Sequence, residues 1–333
     1  METLTFLQII WFVLIGILFA GYAVLDGFDL GIGSLLPFLA GSDEKKNAVL
    51  FKAIGPVWDG NEVWLITAGG ALFAAFPLAY ATVFSGFYLA LMLVLAGLIL
   101  RAVSAEFFSL EEKNKIIWTK TFFLGSLIPS ILFGVALGNV ILGVPLDHRM
   151  EFTGSFFTLL RPYPLVLGAL GLSAILMQGI TYTMLKTGGE IHEAASALSG
   201  KIYYMYVTLF IISLVFAYIF TPERMGIISA WIAAIIFTFS MASLKYFLTS
   251  KNEMKAFLSS SAAFISLWCI AGAIQFPVLV NSTGYNGTDI TIYNASSGRL
   301  TLSVMLGIAL VGMPVVIAYS IYVYRIFKGK IKL

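Results

Sequence analysis

Residues 4–38 read LTFLQIIWFVLIGILFAGYAVLDGFDLGIGSLLPF, an apolar run that contains no Lys or Arg. About 20 apolar residues are enough for a helix to cross the hydrocarbon core of a bilayer, so this run can span a membrane. A cleavable signal peptide begins with a basic segment, whereas the first eight residues contain Glu2 and no basic residue. We therefore predict that the run is a retained membrane span.

The rest of the chain has the same apolar character. Of its 333 residues, 59% are hydrophobic and 11% are charged, whereas a soluble domain carries about 25% charged residues. The apolar runs predict about nine spans, with approximate limits 4–38, 49–76, 78–101, 116–144, 163–185, 203–220, 225–246, 256–280 and 302–327. The sequence therefore predicts an all-α polytopic membrane protein that forms a single transmembrane domain over residues 1–333, with its tightest junction at Phe76-Pro77.

The Lys and Arg residues predict how the spans are oriented. All but four of the 20 lie in the stretches 40–52, 101–120, 186–201 and 245–255 and in the C-terminal tail. Positively charged loops stay cytoplasmic, so we expect the N-terminus outside and the C-terminus in the cytoplasm. An odd number of spans satisfies this orientation, which also explains the net charge of +3 without a nucleic-acid partner. Tyr324, near the end of the last span, fits the aromatic belt of a membrane interface.

Two predicted spans contain acidic side chains, each of which costs about 2.5–3.5 kcal/mol at the centre of a helix on insertion scales. Asp26 and Asp29 lie three residues apart in the first span and therefore on one helical face. Residues 58–64, WDGNEVW, repeat this spacing with Asp59 and Glu62 in the second span. Each of these carboxyl groups needs a charge partner, a water-filled path or a function.

The predicted orientation places both acidic pairs in the cytoplasmic half of the membrane. Asp59 follows Lys52 by seven residues, which corresponds to roughly 10 Å along a continuous helix. Arg101 ends the third predicted span on the same side, and Glu106 follows about one turn later. We therefore expect four carboxylates, Asn61 and Arg101 to meet near the inner leaflet.

Such a cluster predicts a path for protons or ions, because desolvated carboxyl groups exchange protons along water chains while a nearby Arg holds one of them ionised. The alternative is a set of buried ion pairs and helix caps that only fixes the geometry of the bundle. No haem or metal site is expected, because the chain has one cysteine, Cys269, and two histidines, His148 in an outer loop and His192 in an inner loop. These residues can supply neither a His pair for a haem nor a cysteine-ligated cluster.

Two stretches strongly resemble subunit II of cytochrome bd-type quinol oxidases: residues 21–33, GYAVLDGFDLGIG, and residues 56–77, PVWDGNEVWLITAGGALFAAFP. The second stretch is highly specific. Further matches follow in order along essentially the whole chain, at residues 84–88, 101, 138–139, 143–145, 178–179, 189–190, 276–277, 295–297 and 300–302.

The resemblance implies a multi-pass subunit of a complex in a prokaryotic cell membrane, built from two four-helix bundles plus one further helix. It implies a heterodimer with subunit I, which in this family carries haems b558, b595 and d and the quinol site. The complex oxidises quinol from the membrane pool, reduces dioxygen to water, and takes protons from the cytoplasm without pumping them. This chain would be the haem-free half that supports assembly. The resemblance also allows for a small single-helix accessory subunit, surrounding membrane lipids and a structural quinone or lipid.

By motif position, the resemblance assigns proton delivery to Asp59 first and then to Asp26 and Asp29. Glu62 joins them as an additional titratable group, because some relatives have Gln at this position. Val57 stands where some relatives have a histidine, which removes one such group. The order of the relay is therefore open.

The remaining motif residues are expected to support these acids. Arg101 and Glu106 are the expected charge partners, and four motif residues are expected to pack the helices: Gly27, Trp58, Asn61 and Trp64. Two other functions compete with that of an oxidase subunit. The intramembrane acids alone would suit a free-standing proton-coupled secondary transporter, and a purely structural membrane scaffold would need none of them for activity.

Overall fold

The computed structural model describes residues 2–111, 113–284 and 287–331, which are mostly helical. The α-helices in these ranges are α1 Glu2–Leu39, α2 Glu44–Ile54, α3 Trp58–Ala75, α4 Pro77–Gly86, α5 Tyr88–Leu110, α6 Lys115–Leu142, α7 Pro162–Lys186, α8 Gly189–Phe220, α9 Ile228–Thr249, α10 Glu253–Gln275 and α11 Arg299–Ile326. Two short strands, β1 Val278–Val280 and β2 Ile290–Thr291, pair antiparallel in the loop before α11. The predicted helical membrane fold is confirmed.

Eight of the described helices, α1 and α5 to α11, are long and apolar enough to cross a membrane. The helix α3 has 18 residues, or roughly 27 Å at 1.5 Å per residue, which approaches the thickness of the hydrocarbon core. Its first turns carry Asp59, Asn61 and Glu62, which make it less apolar than the other eight. The nine predicted spans therefore correspond to eight strongly apolar helices and α3.

The second predicted span, 49–76, is not one continuous helix. The helix α2 ends at Ile54 and α3 begins at Trp58, with Pro56 between them. Proline has no backbone N–H and disfavours a helical conformation in the residue before it, so the first helix ends ahead of Pro56. This break turns the first part of the predicted span into a separate short helix.

The third predicted span, 78–101, is also divided. The helix α4 begins at the predicted Phe76-Pro77 junction but ends at Gly86, and α5 starts two residues later. A Cβ on Gly86 would lie 2.9 Å from the Cβ of Phe152, so the loop after α6 packs directly on this break. With 10 residues, α4 is too short to cross a bilayer.

Two helices extend beyond their predicted limits. The helix α5 continues to Leu110, so Arg101 lies in the helix interior and not at its end. The helix α8 begins at Gly189, so Glu190 and His192 belong to its first turns and not to a loop. Both extensions contain polar residues, so a hydropathy pattern, which detects only apolar segments, does not include them in the helices.

The helices form two groups, which meet where α7 packs against α1 and α6 and where α10 packs against α1. The first contains α1, α3, α5 and α6, and in the second α7, α8, α9 and α10 pack on one another. The helix α11 lies outside both groups, against α1 and α3. This arrangement agrees with the predicted two four-helix bundles plus one further helix. The largest apolar core contains side chains from both bundles. The single domain over residues 1–333 remains a prediction.

The helices α1 and α7 cross at two glycines. A Cβ on Gly179 would lie 2.7 Å from the Cα of Gly31, and a Cβ on Gly31 would lie 2.8 Å from the Cα of Gly179. Both contacts are with backbone, which cannot rotate away as a side chain can. Small residues let membrane helices approach this closely, so the close crossing of α1 and α7 depends on Gly31 and Gly179.

The predicted cytoplasmic loops lie together at one end of the helices. Lys46 on α2 pairs with Glu190 at the start of α8 at 2.6 Å, and Ile331 after α11 donates its N–H to the carbonyl of Lys186 at the end of α7. At the opposite end, the loop before α11 contacts the end of α3. These contacts join the stretches 40–52 and 186–201 and the C-terminal tail at one end, and the loop before α11 with α3 at the other. The assignment of the first end to the cytoplasm remains a prediction.

Candidate functional site

Acidic residues of α1 and α3 meet around Arg101 on α5. Its Nη2 lies 2.7 Å from Oδ1 of Asp26 on α1 and also donates to Oε1 of Glu62 on α3. Arg101 is 1% exposed and Asp26 is 0% exposed, whereas the Glu62 side chain remains 24% exposed. One guanidinium therefore holds carboxylates from two helices in a site that is open only at Glu62.

Asp29 forms the second part of this buried acidic cluster. Asn61 Nδ2 donates to Asp29 Oδ2 at 2.7 Å and to the carbonyl of Leu25 at 3.3 Å. A carbonyl oxygen can only accept, so these bonds fix the orientation of the Asn61 amide. Its Oδ1 accepts a hydrogen bond from the Tyr324 hydroxyl on α11 at 2.9 Å. The buried acidic cluster thus joins α1, α3, α5 and α11.

Two glycines of α1 set its distance from neighbouring helices. Gly21 leaves room for the ring of Trp64 on α3, because a Cβ there would lie 3.2 Å from Cδ2 of that ring and still closer to two other ring atoms. Gly27 faces α10 instead, where a Cβ would lie 3.2 Å from the Phe264 ring. Trp58 begins α3 and is partly buried. These positions support the packing roles expected of Gly27 and Trp64.

Two of the predicted site residues lie outside the buried acidic cluster. Asp59 is exposed in the first turn of α3, where its carboxylate accepts the N–H of Gly60 at 2.7 Å. Because the helix is interrupted at Pro56, Asp59 does not lie seven residues deep in a continuous helix. Glu106 is exposed on α5, and the described part of the chain has no ion pair between it and Arg101. The expected meeting of four carboxylates is corrected to three, with Asp59 at the edge.

The buried acidic cluster contains more carboxyl groups than cations. Arg101 forms ion pairs with Asp26 and Glu62, whereas Asp29 is bonded to the neutral amide of Asn61. An uncompensated charge is costly in a buried site. Four buried polar atoms of Asp26, Asp29 and Arg101 have no hydrogen-bond partner among the described residues: Asp26 Oδ2, Asp29 Oδ1, and Nε and Nη1 of Arg101. Polar atoms of this kind can bind water molecules, and protons can neutralise the excess carboxylate charge. The geometry is therefore suited to binding and releasing protons.

Sequence reasoning missed two tyrosines at this site. Tyr22 lies one helical turn before Asp26 and is 5% exposed, so helical spacing alone could have identified it. Tyr324 is 263 positions away from Asn61 along the chain. No local sequence pattern links Tyr324 to Asn61, so only the packing of α11 reveals their contact.

The two histidines lie at opposite ends of the helices. His148 is in the loop after α6, and His192 is near the start of α8, with its Nε2 2.7 Å from Oε1 of Glu253. They cannot ligate one haem together, so the histidines of this chain do not fit a bis-histidine haem. Over residues 2–111, 113–284 and 287–331, no group of three or more His, Cys, Asp and Glu side chains is arranged to hold a metal ion.

Comparisons with known proteins agree over nearly the whole chain. The family described as "Cytochrome bd terminal oxidase subunit II" matches residues 7–327. The chain is 34% identical over 361 residues to "Cytochrome bd-I ubiquinol oxidase subunit 2" of Escherichia coli K12, covering 98% of this chain and 95% of the relative. It is 34% identical over 330 residues to "Cytochrome bd ubiquinol oxidase subunit 2" of Bacillus subtilis 168, covering 97% and 96%.

A solved structure supports the fold independently of close sequence similarity. A chain of the bd oxidase from Geobacillus thermodenitrificans matches with a TM-score of 0.81 over 96% of this chain and 98% of that chain. The two sequences are 15% identical. The likeness therefore shows that the helical architecture is shared.

Proposed function

Because the chain belongs to the family of cytochrome bd terminal oxidase subunits II, we propose that it supplies cytoplasmic protons to a quinol-oxidising complex that reduces dioxygen to water. Family membership makes the chain a subunit of an oxidoreductase complex with a partner, subunit I. The predicted family and the predicted multi-pass location in a bacterial inner membrane are confirmed. Proton supply, assembly and the absence of haem from this chain are the finer parts of the proposal.

The observation that carries the proposal is the buried acidic cluster. Reduction of dioxygen to water consumes one proton for each electron, so an oxidase needs protonatable groups that lead into the membrane. Asp26, Asp29 and Glu62 provide such groups on two adjacent helices, and Arg101 forms ion pairs with Asp26 and Glu62. The predicted orientation places them in the cytoplasmic half of the membrane, on the side from which protons would be taken.

Asp59 is proposed as the first acceptor of a proton from the cytoplasm. It is exposed in the first turn of α3, and Glu62 follows three residues later on the same helical face. Glu62 is in turn bonded to Arg101. We therefore propose that a proton passes from the exposed Asp59 to the partly exposed Glu62 and then to the buried Asp26 and Asp29.

The haems and the quinol site are proposed to lie on subunit I. The positions of His148 and His192 at opposite ends of this chain support that division. The haems would supply electron transfer and oxygen binding, while the residues of this chain hold and move protons and stabilise the heterodimer. A small single-helix accessory subunit and a structural quinone or lipid remain predictions.

Purification through an affinity tag on this chain tests the proposal. We expect a second, haem-bearing membrane chain to co-purify and the complex to consume oxygen when quinol is added. A tagged unrelated membrane protein from the same cells is the control and should bring down no haem. The proposal fails if the chain purifies alone, remains stable in lipid vesicles and carries substrate-coupled proton flux, which would favour the free-standing transporter.

A further inference from the structure

One side chain of the peripheral helix α11 reaches the buried acidic cluster. Leu302 is the only buried residue among those described in α11, yet the Tyr324 hydroxyl is 2.9 Å from Oδ1 of Asn61. The Tyr324 ring also packs edge-on against Phe28 of α1, with ring centroids 6.5 Å apart and an interplanar angle of 81°. Tyr324 is therefore packed toward α1 and α3, unlike the freely exposed aromatic expected at a membrane interface.

The hydrogen bond from Tyr324 continues through Asn61 to a carboxyl group. Asn61 Nδ2 donates to Oδ2 of Asp29 at 2.7 Å, and the Asn61 side chain is buried. The Tyr324 hydroxyl is the only described donor to Asn61 Oδ1. Without it, the buried carbonyl oxygen of the amide would lose its partner, and a rotated amide would present an acceptor to Asp29 in place of a donor.

The docking of α11 does not depend on Tyr324 alone. At one end, the indole Nε1 of Trp11 donates to the carbonyl of Leu302 at 3.0 Å. At the other end, Lys186 Nζ donates to the carbonyl of Phe327 at 2.6 Å, and the backbone of Ile331 bonds to that of Lys186. Because other groups bond to both ends of α11, we expect the helix to stay docked when the Tyr324 hydroxyl is removed.

We infer that Tyr324 is a positioning residue whose hydroxyl holds the Asn61 amide in the orientation that donates to Asp29. The inference rests on the proposed function, because it gives the last helix a role in preparing one acid of the proton path. Tyr324 also lines a groove of about 600 Å³ between α1, α3 and α11, together with Leu25 and Trp64. Tyr324 thus lines this groove and also contacts Asn61.

The test uses Tyr324→Phe in the purified complex with subunit I, and haem spectra establish that each variant is assembled. Infrared difference spectra report the Asp29 carboxyl band, which is assigned as the band that Asp29→Asn removes. We expect Tyr324→Phe to shift this band and to lower turnover by about fivefold, the ratio expected for one lost hydrogen bond. Tyr322→Phe is the matched control, because Tyr322 lies on the same helix and is exposed, and it should leave both readouts unchanged.

A double-mutant cycle tests whether Tyr324 acts through Asn61. In an Asn61→Leu background, Tyr324→Phe should have no further effect on the band or on turnover, because the amide that it positions is gone. An unshifted band in Tyr324→Phe, or effects that add in the double variant, would overturn the inference. A shifted band together with normal turnover of Asp29→Asn would support the positioning role and refute the proposed role of Asp29 in proton supply.

Discussion

Replacing Arg101 with methionine is expected to remove most of the assembled complex from the membrane. The change leaves Asp26 and Glu62 without their cation in a site where Arg101 is 1% exposed. Breaking a buried ion pair by removing one partner costs about 3–5 kcal/mol in free energy of unfolding, because the remaining charge stays buried and unpaired. The haem absorbance of isolated membranes measures the amount of complex. The midpoint temperature of its thermal unfolding measures the stability of the complex.

Two further variants separate this explanation from a general loss of charge. Arg299→Met removes an exposed arginine from the first turn of α11 and should leave the amount of complex unchanged. Asp26→Asn in the Arg101→Met background should recover part of the complex, because it removes one unpaired carboxylate. Wild-type amounts and stability in Arg101→Met alone would contradict the assigned ion pair.

The second large effect is expected from Gly179→Val at the crossing of α1 and α7. Its Cβ would lie 2.7 Å from the Cα of Gly31, and neither helix can relieve the clash by rotating a side chain. The helices would have to separate, at a cost of about 1–3 kcal/mol or more for overpacking. We expect a lower thermal midpoint and less complex in the membrane, measured by haem absorbance.

Gly16→Val is the matched control for this variant. Gly16 lies on α1, and a Cβ there would have no heavy atom within 4 Å. The same glycine-to-valine change in a membrane helix should therefore be tolerated. Equal stability of the two variants would show that the close approach of α1 and α7 does not hold the bundles together.

The sequence predicted the elements that depend on local pattern. The apolar runs located the membrane helices, the three-residue spacing placed Asp26 and Asp29 on one face, and Phe76-Pro77 marked a true junction. Three of the positively charged stretches, 40–52, 186–201 and the C-terminal tail, contact one another, whereas the orientation in the membrane remains a prediction. Each of these features follows from helical periodicity, proline chemistry or the cost of moving charge into a membrane.

Hydropathy could not predict where the helices continue outside the apolar core. It detects membrane-embedded segments, so it missed the extension of α8 back to Gly189 and that of α5 to Leu110. The hydropathy pattern also predicted one continuous span over 49–76 and missed the break at Pro56. As a result, the depth of Asp59 was overestimated and Arg101 was placed at a helix end.

Contacts between distant parts of the chain were beyond sequence reasoning. The choice of Arg101 as the central cation followed from its position, whereas the exclusion of Glu106 and the inclusion of Tyr324 depend on the rotation of α5 and α11 about their axes. The packing of whole helices sets these rotations. The fold was therefore more predictable than the composition of the buried acidic cluster.

The central claim is that the acids of α1 and α3 deliver cytoplasmic protons for oxygen reduction. The most direct test follows proton uptake with a pH indicator after fully reduced complex is mixed with oxygen, in wild type, Asp29→Asn and Asp59→Asn. We predict native haem spectra and normal oxygen binding, with proton uptake slowed by about tenfold or more in both variants, in the range of lost proton-transfer groups. Proton uptake at the wild-type rate in both variants would contradict the claim and leave these carboxylates a structural role only.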